Sequence, residues 1–329
     1  YGQKLRKEML EKYTGDKYTC LIVNVHETST GVHYDLNMLH EFCQENHLFF
    51  IVDAISSFLA DPIDMEKQGI DVLITGSQKA LAVPPGISIL TLSKKAINRI
   101  ENNHVKSLYF NLKLALKNGE RGQTPFTPAV SILRQIHQRL LMIDENGGAN
   151  SEISRVHELA IDFRNRIKNL PVDIFSEEVS NAVTALKTRN VSAKKIFDIL
   201  KDEYQIWICP NGGELSEKVF RVGHIGNLTI TDNTVLIEAL DDLVKRKILI
   251  YYRYYFAFPK ILPWQTNSTF FILLSQHLAP AVEHEAAQEQ NGIFEFRGRE
   301  IVQRQCDGQK AQQKDDGAED HGVSLLLTL

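Results

Sequence analysis

The sequence predicts an α/β fold, with a mostly parallel sheet in a larger N-terminal part and a smaller C-terminal α/β domain after it. Three observations predict this. Near-continuous apolar runs (Tyr18–Val25, Leu48–Val52 and Ile70–Gly76) alternate with segments of helical period, as strands buried on both faces do. Each run ends in a polar cluster too particular for a simple turn: HETSTG from His26, DAISS from Asp53 and GSQKAL from Gly76. Beyond Pro171 short strands and helices interleave over about 80–100 residues, enough for one compact domain.

Taken in order, Leu5–Tyr13 places Leu5, Met9, Leu10 and Tyr13 at helical spacing. Tyr18–Val25 is the first strand. Leu36–Asn46 is a helix with Leu36, Leu39, Phe42 and Cys43 on one face and Asp35 as its N-cap. Leu48–Val52 is the second strand, Asp64–Gln68 a short helical turn closed by Gly69, and Ile70–Gly76 the third strand. Gly86–Leu92 follows a loop so short that this strand is free to run antiparallel. Lys94–Asn102 reads as a surface helix and Lys117–Pro128 as a polar connection. Val130–Asn146 and Asn150–Asn169 are long helices parted by Gly147 and Gly148. Asn181–Leu186, Gln205–Cys209 and Val219–Val222 then read as strands, with helices at Ser192–Tyr204, capped by Ser192, and Asp232–Leu249. From Ile250 the period fails, and the polar stretch Asn291–Gly322 is too poor in apolar residues to order itself. The expected division is 1–148, 149–249 and an unassigned tail, 250–329, partly disordered.

A net charge of -4 gives no sign of a polyanion partner, so nucleic acid is not expected as a ligand. Cys20, Cys43, Cys209 and Cys306 lie far apart with no C-x-x-C pair, which argues against a zinc site or disulfide framework and fits a reducing cytoplasm. No apolar run reaches the ~18–20 residues of a membrane span. The opening YGQKLRKEMLEKY lacks the apolar core of a signal peptide and starts within a helix, so further sequence is expected upstream of it.

Open parallel sheets bind ligands beyond the carboxyl ends of their strands. HETSTG, DAISS and GSQKAL all stand at such ends. Singly, each has a bland reading: a solvated lysine, a turn aspartate, a hydrogen-bonded turn. Together they match one chemistry. Pyridoxal phosphate needs an amine for a Schiff base and an acid against its pyridinium nitrogen. Lys79 can supply the amine and Asp53 the carboxylate from a neighbouring strand. Ile55 can pack on the ring face, a hydroxyl at Thr28 or Ser29 can reach the ring oxygen, and Ser77 and Gln78 can meet the phosphate.

The ordered set HETSTG, VDAISS and GIDVLITGSQKALAVPPG, at this spacing, resembles the class V aminotransferases over Tyr1–Leu249. It looks closest to the alanine/serine–glyoxylate and 2-aminoethylphosphonate–pyruvate group. The resemblance implies an aspartate-aminotransferase-type fold with pyridoxal 5'-phosphate as cofactor. It implies Lys79 as the Schiff-base lysine and proton carrier, and Asp53 as the pyridinium partner. Thr28 becomes the ring-oxygen contact, Ile55 ring packing and Gln78 a phosphate ligand. A residue from the second subunit of a homodimer completes the family's phosphate site, and here Thr127 matches it, with Thr124 the weaker candidate. VFRVGHIG, Val219–Gly226, matches the motif whose arginine grips the substrate carboxylate, which makes Arg221 the anchor.

The family's N-terminal part carries a Gly-rich phosphate cradle and an aromatic or His that stacks on the ring. Neither has a counterpart in this chain, so roughly the first hundred residues of the pattern are expected to be missing. The leading expectation is a cytoplasmic, homodimeric transaminase acting on a small amino donor and a 2-oxo acid, with no metal and no membrane. The alternative is an inactive aminotransferase-fold piece lacking its phosphate site. A minor third reading, a membrane-associated tail, rests on the aromatic run Tyr251–Phe258. Cysteine desulfuration is disfavoured, because Gln78 stands where that activity typically has His, and Cys209 reads as a buried strand residue.

Overall fold

The computed structural model describes residues 1–250 and the strand Ser324–Thr328. These belong to one compact unit, Tyr1–Tyr252 with His321–Leu329; a second unit, Arg253–Asp320, lies outside the described residues. The aromatic run Tyr251–Phe258 and the disorder expected over Asn291–Gly322 lie outside them too.

The first sheet is built from β1 (Cys20–Asn24), β4 (Phe49–Asp53), β5 (Val72–Gly76), β6 (Ile87–Leu92) and β11 (Ser324–Thr328), adjacent in that order. β1, β4 and β5 run parallel, β6 turns antiparallel to β5, and β11 lies parallel to β6. Phe50 and Val52 are buried and Ile51 partly so, which is why β4 reads as an unbroken apolar run. Among the described residues β1 pairs only with β4, and its Ile22 is half exposed.

Helices cover this sheet in the manner the sequence predicts. After a short first helix α1 (Lys7–Leu10), α2 (Leu36–Glu45) buries Leu36, Leu39, Phe42 and Cys43. The Asp35 side chain caps it by accepting from the N–H groups of Asn37, at 2.8 Å, and Met38, at 3.3 Å. α3 (Lys94–Glu101) is capped in the same way by Ser93. α4 (Leu112–Gly119), capped by Asn111, lies mostly ahead of the stretch read as a polar connection and overlaps only its first three residues. α5 (Val130–Glu145) then carries Ile136 and Ile143 into a cluster with Leu59, Leu81 and Ile87.

The second sheet has the order β7 (Val172–Ile174), β8 (Val183–Thr188), β10 (Val219–Gly223) and β9 (Cys209–Pro210), all antiparallel. α6 (Gly148–Arg166), α7 (Ala193–Tyr204) and α8 (Ile230–Lys245) pack on it around Phe163, Leu186, Ile196, Phe220 and Leu240. α8 starts in a capping box between Thr229 and Asp232.

The single turn expected at Asp64–Gln68 is present, closed by Gln68 N–H donating to the Asp64 carbonyl at 2.9 Å, while other elements differ. Gln205 adopts a left-handed φ of 59° and ends α7, so the strand predicted from Gln205 begins only at Cys209. Cys209 is exposed rather than buried, because β9 is a two-residue edge strand. β7 and the hairpin of β2 (His26–Glu27) with β3 (Val32–His33) are too short to leave a periodic signal.

Candidate functional site

Register brings the first two polar clusters together. Asn24 at the end of β1 lies beside Asp53 at the end of β4, and Asp53 beside Ile74 in β5, two residues before that strand closes at Gly76. Parallel neighbours release their chains on one side of a sheet, so HETSTG, DAISS and GSQKAL all leave on the same side.

Asp53 is half-buried, and its Oδ1 accepts from the Ile55 N–H at 3.0 Å. Burial lifts its pKa above the usual carboxylate range, the Ile55 hydrogen bond opposes this, the Glu27 charge adds to the rise and Lys79 offsets part of it. A half-buried carboxylate in this state has need of a cation. Thr28 Oγ1 shares a hydrogen bond of 2.8 Å with Ser56 Oγ, three residues beyond Asp53.

The loop that carries Lys79 is tightly braced. Ser77 N–H donates to the Ile87 carbonyl, Ala82 N–H to the Lys79 carbonyl, and Val83 N–H to the Ser77 carbonyl. The Ser77 hydroxyl donates to the Pro84 carbonyl at 2.7 Å. Ser77 is fully buried, so the phosphate contact expected of it is replaced by a structural one. Gly86 closes the loop at φ +135°, a conformation strained for any residue with a side chain, and a Cβ there would lie 2.7 Å from Ile132 Cδ1. Lys79 is half-buried and Gln78 exposed. The Gln78 carboxamide lies over Gly76, its Oε1 2.7 Å from where a Cβ would stand.

The second sheet reaches the HETSTG loop through β10. Arg221 donates from Nη1 to the Thr28 carbonyl at 3.3 Å and from Nη2 to the Pro210 carbonyl at 2.8 Å. Its Nε is buried with no partner. Two carbonyls thus orient the guanidinium, and Nε is the donor left without a partner among the described residues. Asn211 joins in, its Nδ2 donating to the Ser29 carbonyl at 3.0 Å.

Asp53, Ile55, Thr28, Lys79 and Arg221 therefore sit on, or touch, three adjoining loops. Ser29 is engaged elsewhere: its hydroxyl donates to Glu27 at 2.7 Å, which leaves Thr28 as the available hydroxyl of the pair. Thr127 is exposed on the connection between α4 and α5, with no described contact to the strand ends. Thr124 on that connection donates to the Phe126 carbonyl at 2.6 Å. Sequence reasoning missed Ser56 and Asn211 as site residues. Ser56 was legible as the first hydroxyl-bearing position after Asp53; Asn211 carried no signal beyond its place in a polar turn. No group of three or more His, Cys, Asp or Glu among the described residues is arranged to hold a metal.

The family model for aminotransferase class V matches residues 2–221. The chain is 32% identical over 225 residues to an uncharacterized aminotransferase of Methanocaldococcus jannaschii, covering 67% of this chain and 58% of that protein. It is also 32% identical over 253 residues to alanine–glyoxylate aminotransferase of Felis catus, covering 73% and 60%. Among solved structures, alanine–glyoxylate aminotransferase from Nostoc sp. superposes with a TM-score of 0.67 at 25% identity, over 74% of this chain and 66% of that one. The chain spans about three fifths of the length of the curated relatives it matches.

Proposed function

Since this chain belongs to the class V aminotransferases, we propose that it carries the pyridoxal-phosphate chemistry of an aminotransferase that moves an amino group from a small donor to glyoxylate or pyruvate. The observation that carries this is the convergence of Asp53 and Lys79 on neighbouring strand ends, with Arg221 reaching the adjacent loop.

The residues fit the cofactor on two counts. A protonated ring nitrogen would supply the counter-charge that the half-buried Asp53 carboxylate lacks. The unpartnered Nε of Arg221 suits a substrate carboxylate. When bound, the cofactor serves as the electron sink that lets an amino acid lose its α-proton. Lys79 would hold the cofactor and carry the proton, Ile55 would pack on the ring, Thr28 would meet the ring oxygen and Gln78 the phosphate. We assign Thr127 to the phosphate site of a second copy in a homodimer; its exposure supports that reading. The free thiols Cys20, Cys43 and Cys209 support a cytoplasmic setting.

The test is borohydride reduction of the purified chain after incubation with pyridoxal phosphate, followed by peptide mass mapping. The expected result is one cofactor adduct on the peptide bearing Lys79, absent in Lys79→Ala. An adduct scattered over surface lysines, or unchanged in Lys79→Ala, overturns the assignment. A panel of amino donors against glyoxylate and pyruvate then sets the substrate pair.

A further inference from the structure

The hairpin that opens the HETSTG loop holds a histidine outside the roles given above. His26 of β2 is fully buried and faces His33 across the hairpin as its direct register partner. Its Nδ1 lies 3.1 Å from the Ser56 carbonyl. A carbonyl can only accept, so the proton sits on Nδ1 and Nε2 carries the lone pair. Burial lowers the pKa of His26 and keeps the ring neutral near pH 7.

The Ser56 carbonyl has reason to need this donor. The backbone hydrogen bonds of its turn run to neighbouring carbonyls, from Ser57 and Phe58 to Ala54 and from Ala60 and Asp61 to Ser57. The carbonyl of Ser56 is left to His26, and the hydroxyl of the same residue is bonded to Thr28. The imidazole is itself confined. Its partner His33 stands 3.8 Å, Nε2 to Oδ2, from Asp61, a buried carboxylate that accepts from the Ser180 hydroxyl and from Asn181 N–H at 2.8 Å.

We propose that His26 is a positioning residue for the Thr28–Ser56 hydroxyl pair: its Nδ1–H pins the Ser56 carbonyl and so fixes the Ser56 hydroxyl against Thr28. The inference rests on the cofactor-binding reading, in which Thr28 meets the ring oxygen. His26 acts without touching cofactor or substrate.

Two measurements test it. In the full chain without cofactor, nitrogen-15 NMR of the imidazoles reads the tautomer directly, and His26 is expected with Nδ1 protonated and Nε2 bare. In the second, pyridoxal phosphate affinity and visible absorption are compared for His26→Leu, which removes the donor, and His26→Asn, whose amide nitrogen can take the place of Nδ1. His26→Leu is expected to weaken binding about tenfold and to shift the absorption of the bound cofactor, the effect of one buried hydrogen bond. His26→Asn should stay within about threefold of wild type, and in a Thr28→Val background His26→Leu should add nothing. A role confined to stability would lower the melting temperature of both variants and leave affinity and spectrum alone; that outcome overturns the proposal, as does an Nε2-protonated His26 or a full additive loss beside Thr28→Val. A wild-type chain that binds no cofactor instead overturns the cofactor reading, and the tautomer alone then decides the Nδ1–H contact.

Discussion

Acidification should unfold this protein partly through His224, and the size of the effect follows from its surroundings. His224 follows β10, three residues after Arg221, and is 1% exposed. Thr184 Oγ1 accepts from Arg164 Nε at 3.0 Å, so its proton points to His224 Nε2 at 2.8 Å. A proton on that nitrogen would displace the Thr184 hydroxyl hydrogen and set a second cation near the Arg164 guanidinium. Burial, and then the Arg164 charge, push the His224 pKa down to about 3. The unfolded chain would titrate this residue near the ordinary value of 6.5. Because the folded pKa is depressed, the stabilisation is whole above about pH 6.5 and is lost as pH falls toward 3, where only the unfolded state takes the proton. Between pH 7.5 and pH 5 the loss is about 2 kcal/mol. Urea unfolding at a series of pH values, followed by circular dichroism, measures it. His224→Gln should flatten the acid limb by about 2 kcal/mol over that interval, whatever its effect at pH 7.5. An acid limb of unchanged slope in the variant would falsify the assignment of a neutral, buried His224.

Two further outcomes follow from the packing. Asp61→Ala removes the acceptor from the buried Ser180 hydroxyl and from Asn181 N–H, which should cost about 3 kcal/mol in the urea midpoint; Asp61→Asn keeps one acceptor oxygen and should cost about half of that. Equal losses for the two variants would count against the hydrogen-bond account. Phe220→Ala opens a void in the core of the second sheet, where the side chain is fully buried, and should cost about 3–5 kcal/mol by the same measurement, while a loss below about 1 kcal/mol would show that the site collapses around the smaller residue.

The elements most legible in the sequence are those whose stability is local or one-sided. α2 announces itself through Asp35 and the apolar positions Leu36, Leu39, Phe42 and Cys43, because its cap and stripe follow helix geometry alone. β4 and β5 are legible because burial on both faces leaves an apolar run that nothing else of that length explains. The missed elements are set by partners distant in sequence. β7 exists because Val172–Ile174 finds β8, and β9 is two residues long because Gln205 turns left-handed and brings only Cys209 and Pro210 against β10. The aromatic and Asn-rich approach to α4 masked its cap at Asn111. The strand at Ser324–Thr328 was equally hidden, since its pairing partner β6 lies more than two hundred residues earlier.

The chemistry divides in the same way. By itself the sequence determined which residues stand at strand ends, Asp53 and Lys79 above all, since a strand followed by a polar cluster is a one-dimensional pattern. Spacing also supplied the family motif and, with it, Arg221. Only the tertiary structure decided what those groups face. It spent the hydroxyls of Ser77 and Ser29 on Pro84 and Glu27, joined Thr28 to Ser56, left the buried Arg221 Nε without a partner among the described residues and exposed Cys209. The reason is physical: a hydrogen bond is settled by direction and competition among neighbours in space, and neither is written in the spacing of residues along a chain.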